Sequence, residues 1–533
     1  MPRVPHVAFF CMEFGLHESF PIYSGGLGIL AGDFIKSAHD LDLPVVAVGL
    51  RWDRGYCVQR IGEDGQLFEE FPGYDHSFLR DTRVRVRVRV RRKEVPCMVW
   101  VTDRFGHVPL YLIEPLRAED RWITHRLYES GSDVRIAQEM LLGIGGLRAL
   151  NWLPTPIGTY HFNEGHAVFA GVEMIAERMA AGMSFEEAWE DVRVRIVFTT
   201  HTPVRAGNEE HSLKDLQRMG ASLELSAAEM RALGGDPFSM TAAGLRLARA
   251  ANAVSELHGR TARTMWAGVD GAPPILAITN GVHPPTWQSE EIRAARHDPD
   301  ALWAAHAAHR DDLALAVERS TGVRLDPGGP WIGFARRAAP YKRGDLILRD
   351  PARLAKLLRE SRVQLVLSGK SHPDDPHGKA ILTRLAQARA EYPGRVVFLE
   401  NYDMELGRLL TRGCDVWLNN PILPLEACGT SGMKAALNAV LNLSIPDGWW
   451  AEACEHGVNG WAIGDGRPTD DASDHEALFG TLEREVLPAW ADRARWKKMM
   501  LASLRMAEER FTSHRMVTDY FAKLYAGKRA AVD

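Results

Sequence analysis

No uninterrupted apolar run in the 533 residues reaches the ~18 that a membrane helix needs, and none of the six cysteines forms a CxxC pair. The first absence excludes a helical membrane span. The second excludes a disulfide framework and reads as reduced thiols in a cytoplasm. An excess of either charge is also missing: 64 Lys and Arg stand against 69 Asp and Glu, a net charge of −5. Nucleic-acid binders carry a basic domain, so that class of partner is excluded. The N-terminal run VAFFCM is too short for a signal peptide and meets Glu13 at once. No internal repeat is found. What remains is ordinary globular composition, 46% hydrophobic and 25% charged, enough for a large core and against wholesale disorder. At about 150 residues per domain the length allows three or four domains, or two large α/β ones. A cytoplasmic enzyme is expected.

Short apolar runs recur: VAFF (7–10), PVVAVGL (44–50), VPLYLIE (108–114), TYHFN (159–163), RIVFTTH (195–201) and PILAITN (274–280). WIGFAR (331–336), VQLVLSG (363–369), RVVFLEN (395–401) and VWLNN (416–420) follow. Runs without polar alternation suit strands buried on both faces of a parallel sheet. Helix-period segments such as 133–150 lie between them, so doubly wound α/β layers are predicted. LDPGGP (325–330) reads as a linker. It divides the chain into Rossmann-like domains over 1–328 and 329–510, and a C-terminal helix over 511–533 is expected to dock back across a domain face. The Val/Arg alternation within 82–94 reads as a half-exposed strand with Val inward, in preference to an anion-binding ribbon.

Several motifs resemble sites without meeting their requirements. Gly26–Ala31 fits GxGxxA but lies too far from the preceding strand for a dinucleotide turn. SGKSH (368–372) has Gln364 where a P-loop needs Gly. HFNEGH (161–166) matches no zinc spacing and is read as a substrate-lining segment; no metal is predicted. FARRAAPYKRGD (334–345) gathers Arg336, Arg337, Lys342 and Arg343 at a strand end, where cations clamp phosphate oxygens. In EACGTSGMKAALNAVLNLSIPDGWW (426–450) a donor-rich loop leads into an apolar helix with Lys434 near its start. A cation there opposes the helix dipole, unless it is neutralised as a Schiff base with an aldehyde cofactor.

EACGTSGMKAALN resembles the cofactor-lysine segment of the α-glucan (glycogen, starch, maltodextrin) phosphorylases, which typically reads EASGTGNMKFMLNG. SGGLG (24–28), THTP (200–203), ITNGVHPPTW (278–287), RRAAPYKR (336–343) and LENY (399–402) resemble further family segments in the family order, from residue 24 to 450. The resemblance implies an α/β fold of GT-B type, two Rossmann-like doubly wound domains with a catalytic crevice between them. It implies pyridoxal phosphate on Lys434, surrounded by Tyr402, Thr430, Arg336, Gly25 and Gly26. It further implies inorganic phosphate on Arg337 and Lys342, and the glucosyl unit at Asn280, Glu426, Cys428, Gly429 and His201.

The implied reaction is phosphorolysis of an α-1,4-glucan to α-glucose 1-phosphate with retention, the cofactor's phosphate relaying a proton. A retaining glycosyltransferase that uses a sugar nucleotide, as glycogen synthase does, is the alternative. A glycoside hydrolase using Glu164 and Glu426, or a non-catalytic glucan binder, is a more distant one. Five positions depart from the pattern: Cys428 stands for Ser, Ala339 and Pro340 replace His and Glu, and Ser431-Gly432 replaces Gly-Asn. The chain starts close to the glycine loop, as short-form enzymes do. The sequence leaves open the preferred glucan, effectors, and the choice between monomer and homodimer.

Overall fold

The computed structural model describes residues 6–63, 65–204 and 207–526. They divide into two compact units, one of residues up to 56, 71–279 and 514 onward, the other of 57–70 and 280–513. In the first, a nine-stranded sheet has His6–Phe10 near its middle. On one side lie Ile157–Asn163, Ile196–Thr199, Ala250–Ala253 and Ile275–Ala277; on the other, Val45–Leu50 and Leu110–Pro115, all parallel. Lys93–Thr102 and Arg80–Val90 complete that edge antiparallel. In the edge strand Val86, Val88 and Val90 are buried while Arg85, Arg87 and Arg89 face solvent, as the alternation predicts. The charged row also makes this edge a poor template for pairing with another chain.

The second unit has six parallel strands ordered Val396–Leu399, Gln364–Lys370, Trp331–Arg337, Val416–Asn419, Leu441–Ser444 and Gly460–Ala462. Both sheets are doubly wound α/β layers, the α/β architecture of the GT-B type. The boundary expected near 328 is corrected, because residues 280–328 belong to the second unit. Leu313 and Val317, on the helix Pro299–Thr321, pack with Leu325, Trp331, Val366, Val397 and Trp417 in one cluster. LDPGGP is therefore a turn within that unit, preparing its central strand. The segment read as one apolar helix is broken as well. The helix Thr430–Leu437 ends at Asn438, Ala439 takes a left-handed φ of 61°, and Leu441–Ser444 becomes a strand.

A hairpin of Val58–Ile61 and Leu67–Glu70 belongs to the second unit. Gln59 Nε2 donates to Ser371 Oγ at 3.0 Å, Ser371 N–H donates back to Gln59 Oε1 at 2.9 Å, and Lys370 Nζ donates to the Cys57 carbonyl at 3.0 Å. The polar groups of SGKSH are thus used in holding this hairpin. The C-terminal helix Ser513–Tyr520 with its extension Phe521–Tyr525 contributes Met516, Val517, Tyr520 and Leu524 to buried surface. Tyr525 Oη lies 2.6 Å from His161 Nδ1, whose Nε2 lies 2.8 Å from Thr199 Oγ1. His161 is therefore a core histidine anchoring this helix, and HFNEGH lines no ligand through that residue.

The helix Gly26–Asp40 approaches the segment after the first strand so closely that a Cβ on Gly32 would stand 2.0 Å from the Gly15 carbonyl oxygen. Gly32→Ala gains helix propensity of about 1 kcal/mol, but backbone must move, and overpacking of this kind costs about 1–3 kcal/mol or more. The urea midpoint of Gly32→Ala should fall; a rise would refute the packing argument.

Candidate active site

The second unit assembles its site from three strand ends. Along Trp331–Arg337 side chains alternate between faces, so Arg336 arrives buried and Arg337 exposed. The chain then makes one 3-10 turn, Pro340–Lys342. Arg336 Nη2 donates to Glu426 Oε2 at 2.6 Å, and Lys342 Nζ lies 3.4 Å from both Glu426 oxygens. Only 10% of the Glu426 side chain is exposed. Burial raises its pKa, but Arg336 and then Lys342 more than offset that and hold the carboxyl below its usual range. Lys342 is pushed down to about 7 by burial and by the Arg336 charge. Arg336, the nearer cation, is therefore the main counter-ion. Arg336 Nη1 is buried with no hydrogen-bond partner among the described residues.

The expected four-cation cluster is corrected in one member. Arg343, in a left-handed conformation at φ 47°, points away from Glu426. Its guanidinium donates to the Asn420 and Pro421 carbonyls and pairs with Asp471 at 2.8 Å and Asp474 at 2.7 Å. It ties loops together.

The segment after Glu426 is held by the turn that follows the strand Leu441–Ser444. Asp447 Oδ2 accepts the Glu426 N–H at 2.9 Å, Asp447 Oδ1 accepts the Gly448 N–H at 2.7 Å, and the Trp449 N–H donates to the Cys428 carbonyl at 2.9 Å. Gly448 has φ 53°, and a Cβ there would stand 2.3 Å from the Cys428 oxygen. Gly429, at φ 92°, starts the helix whose first residue is Thr430. Cys428 and Asn280 are buried. Burial pushes Asp447 up to about 7.

Lys434 is the fifth of the eight residues in the helix Thr430–Leu437, not at its start. The positive end of the helix dipole therefore does not oppose its charge. Burial marks it instead: it is 5% exposed, and its Nζ stands 3.4 Å from the ring centroid of Trp287. Asn438 Nδ2 donates to the Trp287 and Lys434 carbonyls at 3.0 and 2.8 Å, fixing one backbone against the other. Tyr402 follows Asn401, which has a left-handed φ of 56°, and burial pushes its hydroxyl up to about 12.

In the first unit, Glu13 organises the glycine loop. Its Oε2 accepts the N–H groups of Ser24 at 2.6 Å and Gly25 at 3.2 Å, and its Oε1 accepts the Tyr128 hydroxyl at 2.8 Å. The Gly25 N–H is thus taken by a carboxylate of its own unit. Gly26 faces open space, with nothing within 4 Å of a Cβ built there. Glu164 ends the strand Ile157–Asn163 in a left-handed conformation, φ 76°. Its Oε2 accepts the His201 N–H at 2.8 Å and the Thr202 hydroxyl at 3.2 Å, while Oε1 is buried with no partner among the described residues. His201 Nε2 lies 2.7 Å from Asn163 Oδ1, and burial depresses its pKa strongly.

Four functional candidates had escaped the sequence. Trp287 lies within ITNGVHPPTW and Asp447 at the start of the Asp-Gly turn signal in PDGWW. Tyr128 and Glu13 had no local signal, because their role is to meet the glycine loop across the fold.

The second unit thus carries strand-end cations beside a buried carboxylate and a buried lysine on a glycine-led helix. No family model matches the chain. Its similarity to maltodextrin phosphorylase of Thermococcus litoralis is 39% identity, covering 98% of this chain and 70% of that one. To glycogen phosphorylase of Mycobacterium bovis it is 40%, with the same coverage. A match to glycogen synthase of Alkalilimnicola ehrlichii is 29% identical and covers 48% of this chain. The chain belongs to the α-glucan phosphorylase family.

Glu164, raised to about 7 by burial, carries a stability prediction. A carboxyl raised above its unfolded value stabilises the fold fully below that unfolded value, and the contribution is lost as pH rises through about 7. Wild-type stability, followed by thermal unfolding, should therefore fall as pH rises from about 4.5 to about 7. Glu164→Gln should flatten that slope, and an unchanged slope would contradict the assignment.

Proposed function

We propose that this chain catalyses phosphorolysis of an α-1,4-glucan, glycogen, starch or maltodextrin, to α-glucose 1-phosphate with retention. The observation that carries the reading is the Arg336–Glu426–Lys342 group, found on one unit with buried Lys434. In the reaction the bond from the anomeric carbon to the 4-oxygen of the next sugar breaks. A bond from that carbon to a phosphate oxygen forms, and the departing oxygen takes a proton.

The residues present fit pyridoxal phosphate. Lys434 offers a buried amine, Arg336 a buried Nη1 without a hydrogen-bond partner, Thr430 a hydroxyl at a helix start, and Tyr402 a ring. When bound there, the cofactor supplies a second phosphate group able to exchange a proton with the substrate phosphate. Arg337 and Lys342 bind inorganic phosphate. Their charges offset the repulsion of two neighbouring anions, which grows as distance and dielectric fall. An amine held near pH 7 takes up a proton readily as a dianion arrives, so Lys342 gains charge where it is needed. Glu426 accepts glucosyl hydroxyls, with its carboxylate already fixed by Arg336 before the sugar binds. The Gly429 N–H, Cys428 and Asn280 complete that recognition, Cys428 as a weak donor only. His201, which the resemblance assigns to the sugar, is held within its own unit by Asn163 and Glu164. Gly26 allows close approach of backbone.

The glycosyltransferase alternative keeps Arg337, Lys342 and Glu426 but requires a nucleoside diphosphate and gives buried Lys434 no purpose. Borohydride reduction followed by peptide mapping should find a pyridoxyl-phosphate adduct on Lys434. An unmodified Lys434 in cofactor-supplemented protein would overturn the phosphorylase reading. Lys342→Ala should lose about 10²–10³ in turnover, the usual cost of one preorganised donor, while the borohydride adduct is retained. Turnover close to wild type would remove Lys342 from the phosphate site.

A further inference from the structure

Glu426 and Cys428 do not hold their own geometry. The peptide between them is followed by Gly429 at φ 92°, a conformation that side-chain-bearing residues rarely adopt, and the helix it starts has no side-chain cap. The shape of 426–429 is imposed by a turn twenty residues further on. Asp447 reaches the Glu426 N–H with one oxygen and closes its own turn at Gly448 with the other. That closure brings Gly448 so near the Cys428 carbonyl that no Cβ could stand between them, and lets the Trp449 N–H bond the same carbonyl. The Trp449 indole then lies under Gly432, where a Cβ would stand 2.9 Å from the ring. Three contacts therefore fix both ends of one four-residue segment, and two of them depend on the Asp447 carboxylate.

We infer that Asp447 is a positioning residue: its carboxylate sets the Glu426 peptide so that the Glu426 side chain reaches Arg336 and Lys342, and through Gly448 and Trp449 it sets Cys428. The inference rests on the phosphorylase reading for its catalytic consequence, but its structural content is independent. Asp447 touches neither sugar nor phosphate in this assignment. Without the Glu426 N–H its buried carboxyl would keep only the Gly448 N–H as a donor and leave Oδ2 unsatisfied.

The test compares Asp447→Ala with Asp447→Asn, which keeps one of the two acceptor oxygens. Amide hydrogen exchange of the 426–429 segment should accelerate in Asp447→Ala and accelerate less in Asp447→Asn, whose single oxygen can accept the Glu426 or the Gly448 N–H but not both, with the remaining amides of that unit unchanged in both. Turnover per reducible Lys434 adduct should fall about tenfold to a hundredfold in Asp447→Ala, the scale expected when a catalytic group is misplaced by about an ångström. Asp447→Asn should restore part of it, and KM for the glucan should move less than kcat. Unchanged exchange at 426–429 in Asp447→Ala overturns the inference. So does a loss in which every amide of the unit exchanges faster, which marks a merely structural role. If the wild type releases no glucose 1-phosphate, the phosphorylase reading falls, while the exchange result still decides whether Asp447 holds Glu426.

Discussion

A carboxylate with a tenth of its surface exposed stays ionised only if cations stand against it, and the second unit is built around meeting that condition for Glu426. Arg336 supplies the close contact from the end of the central strand, and Lys342 a looser one from the turn that follows. Such a group is a poor source of stability. Removing one partner of a buried pair costs about 3–5 kcal/mol, whereas well-packed apolar replacements are often neutral. What it provides is charge held in place before any ligand arrives. That matters where a dianion must be brought to a second anion, because fixed charges need no reorganisation at the moment of reaction.

Three of the ten described non-glycine residues with positive φ lie beyond or near the carboxyl ends of strands. Glu164, Asn401 and Arg343 are left-handed non-glycine residues, each just beyond or near the carboxyl end of a parallel strand, and Gly429 and Gly448 add two glycines in the same region of φ. Parallel sheets deliver their strands' carboxyl ends to one edge, where side chains must turn sharply to face a ligand. Left-handed conformations make those turns within one residue. Their cost is met by surrounding contacts: Glu164 by the His201 and Thr202 donors, Arg343 by four acceptor groups.

The buried parallel strands were legible because a strand covered on both faces has no polar residues to interrupt its run. WIGFAR, VQLVLSG, RVVFLEN and VWLNN all became strands of the second sheet. LNLS escaped because it follows an apolar helix without a composition change, and only the left-handed Ala439 separates them. The domain boundary failed for a related reason. Pro and Gly at 327–330 mark a turn, but membership of a unit is decided by packing, here of Leu313 and Val317 onto Trp331 and Trp417. Arg336, Lys342, Glu426 and Lys434 were readable from motifs, since each lies in a contiguous segment. Glu13 and Asp447 were not, because each acts by reaching backbone far along the chain, 11 to 21 residues away.

The two departures at Ala339 and Pro340 bear on how Lys342 is held. A polar pair there would have offered side chains to fix the turn. Here the turn is fixed by backbone: Ala339 is extended, Pro340 occupies the first position with its constrained φ and no N–H to satisfy, and the Lys342 N–H donates to the Ala339 carbonyl at 2.9 Å. Proline loses less entropy on ordering than the residue it replaces, so the turn is stiffer in the unbound state. The depressed pKa of Lys342 owes nothing to either position, since burial and the Arg336 charge cause it. In this chain the turn that carries the amine is therefore fixed by backbone, and the amine's depressed pKa is set by burial and Arg336.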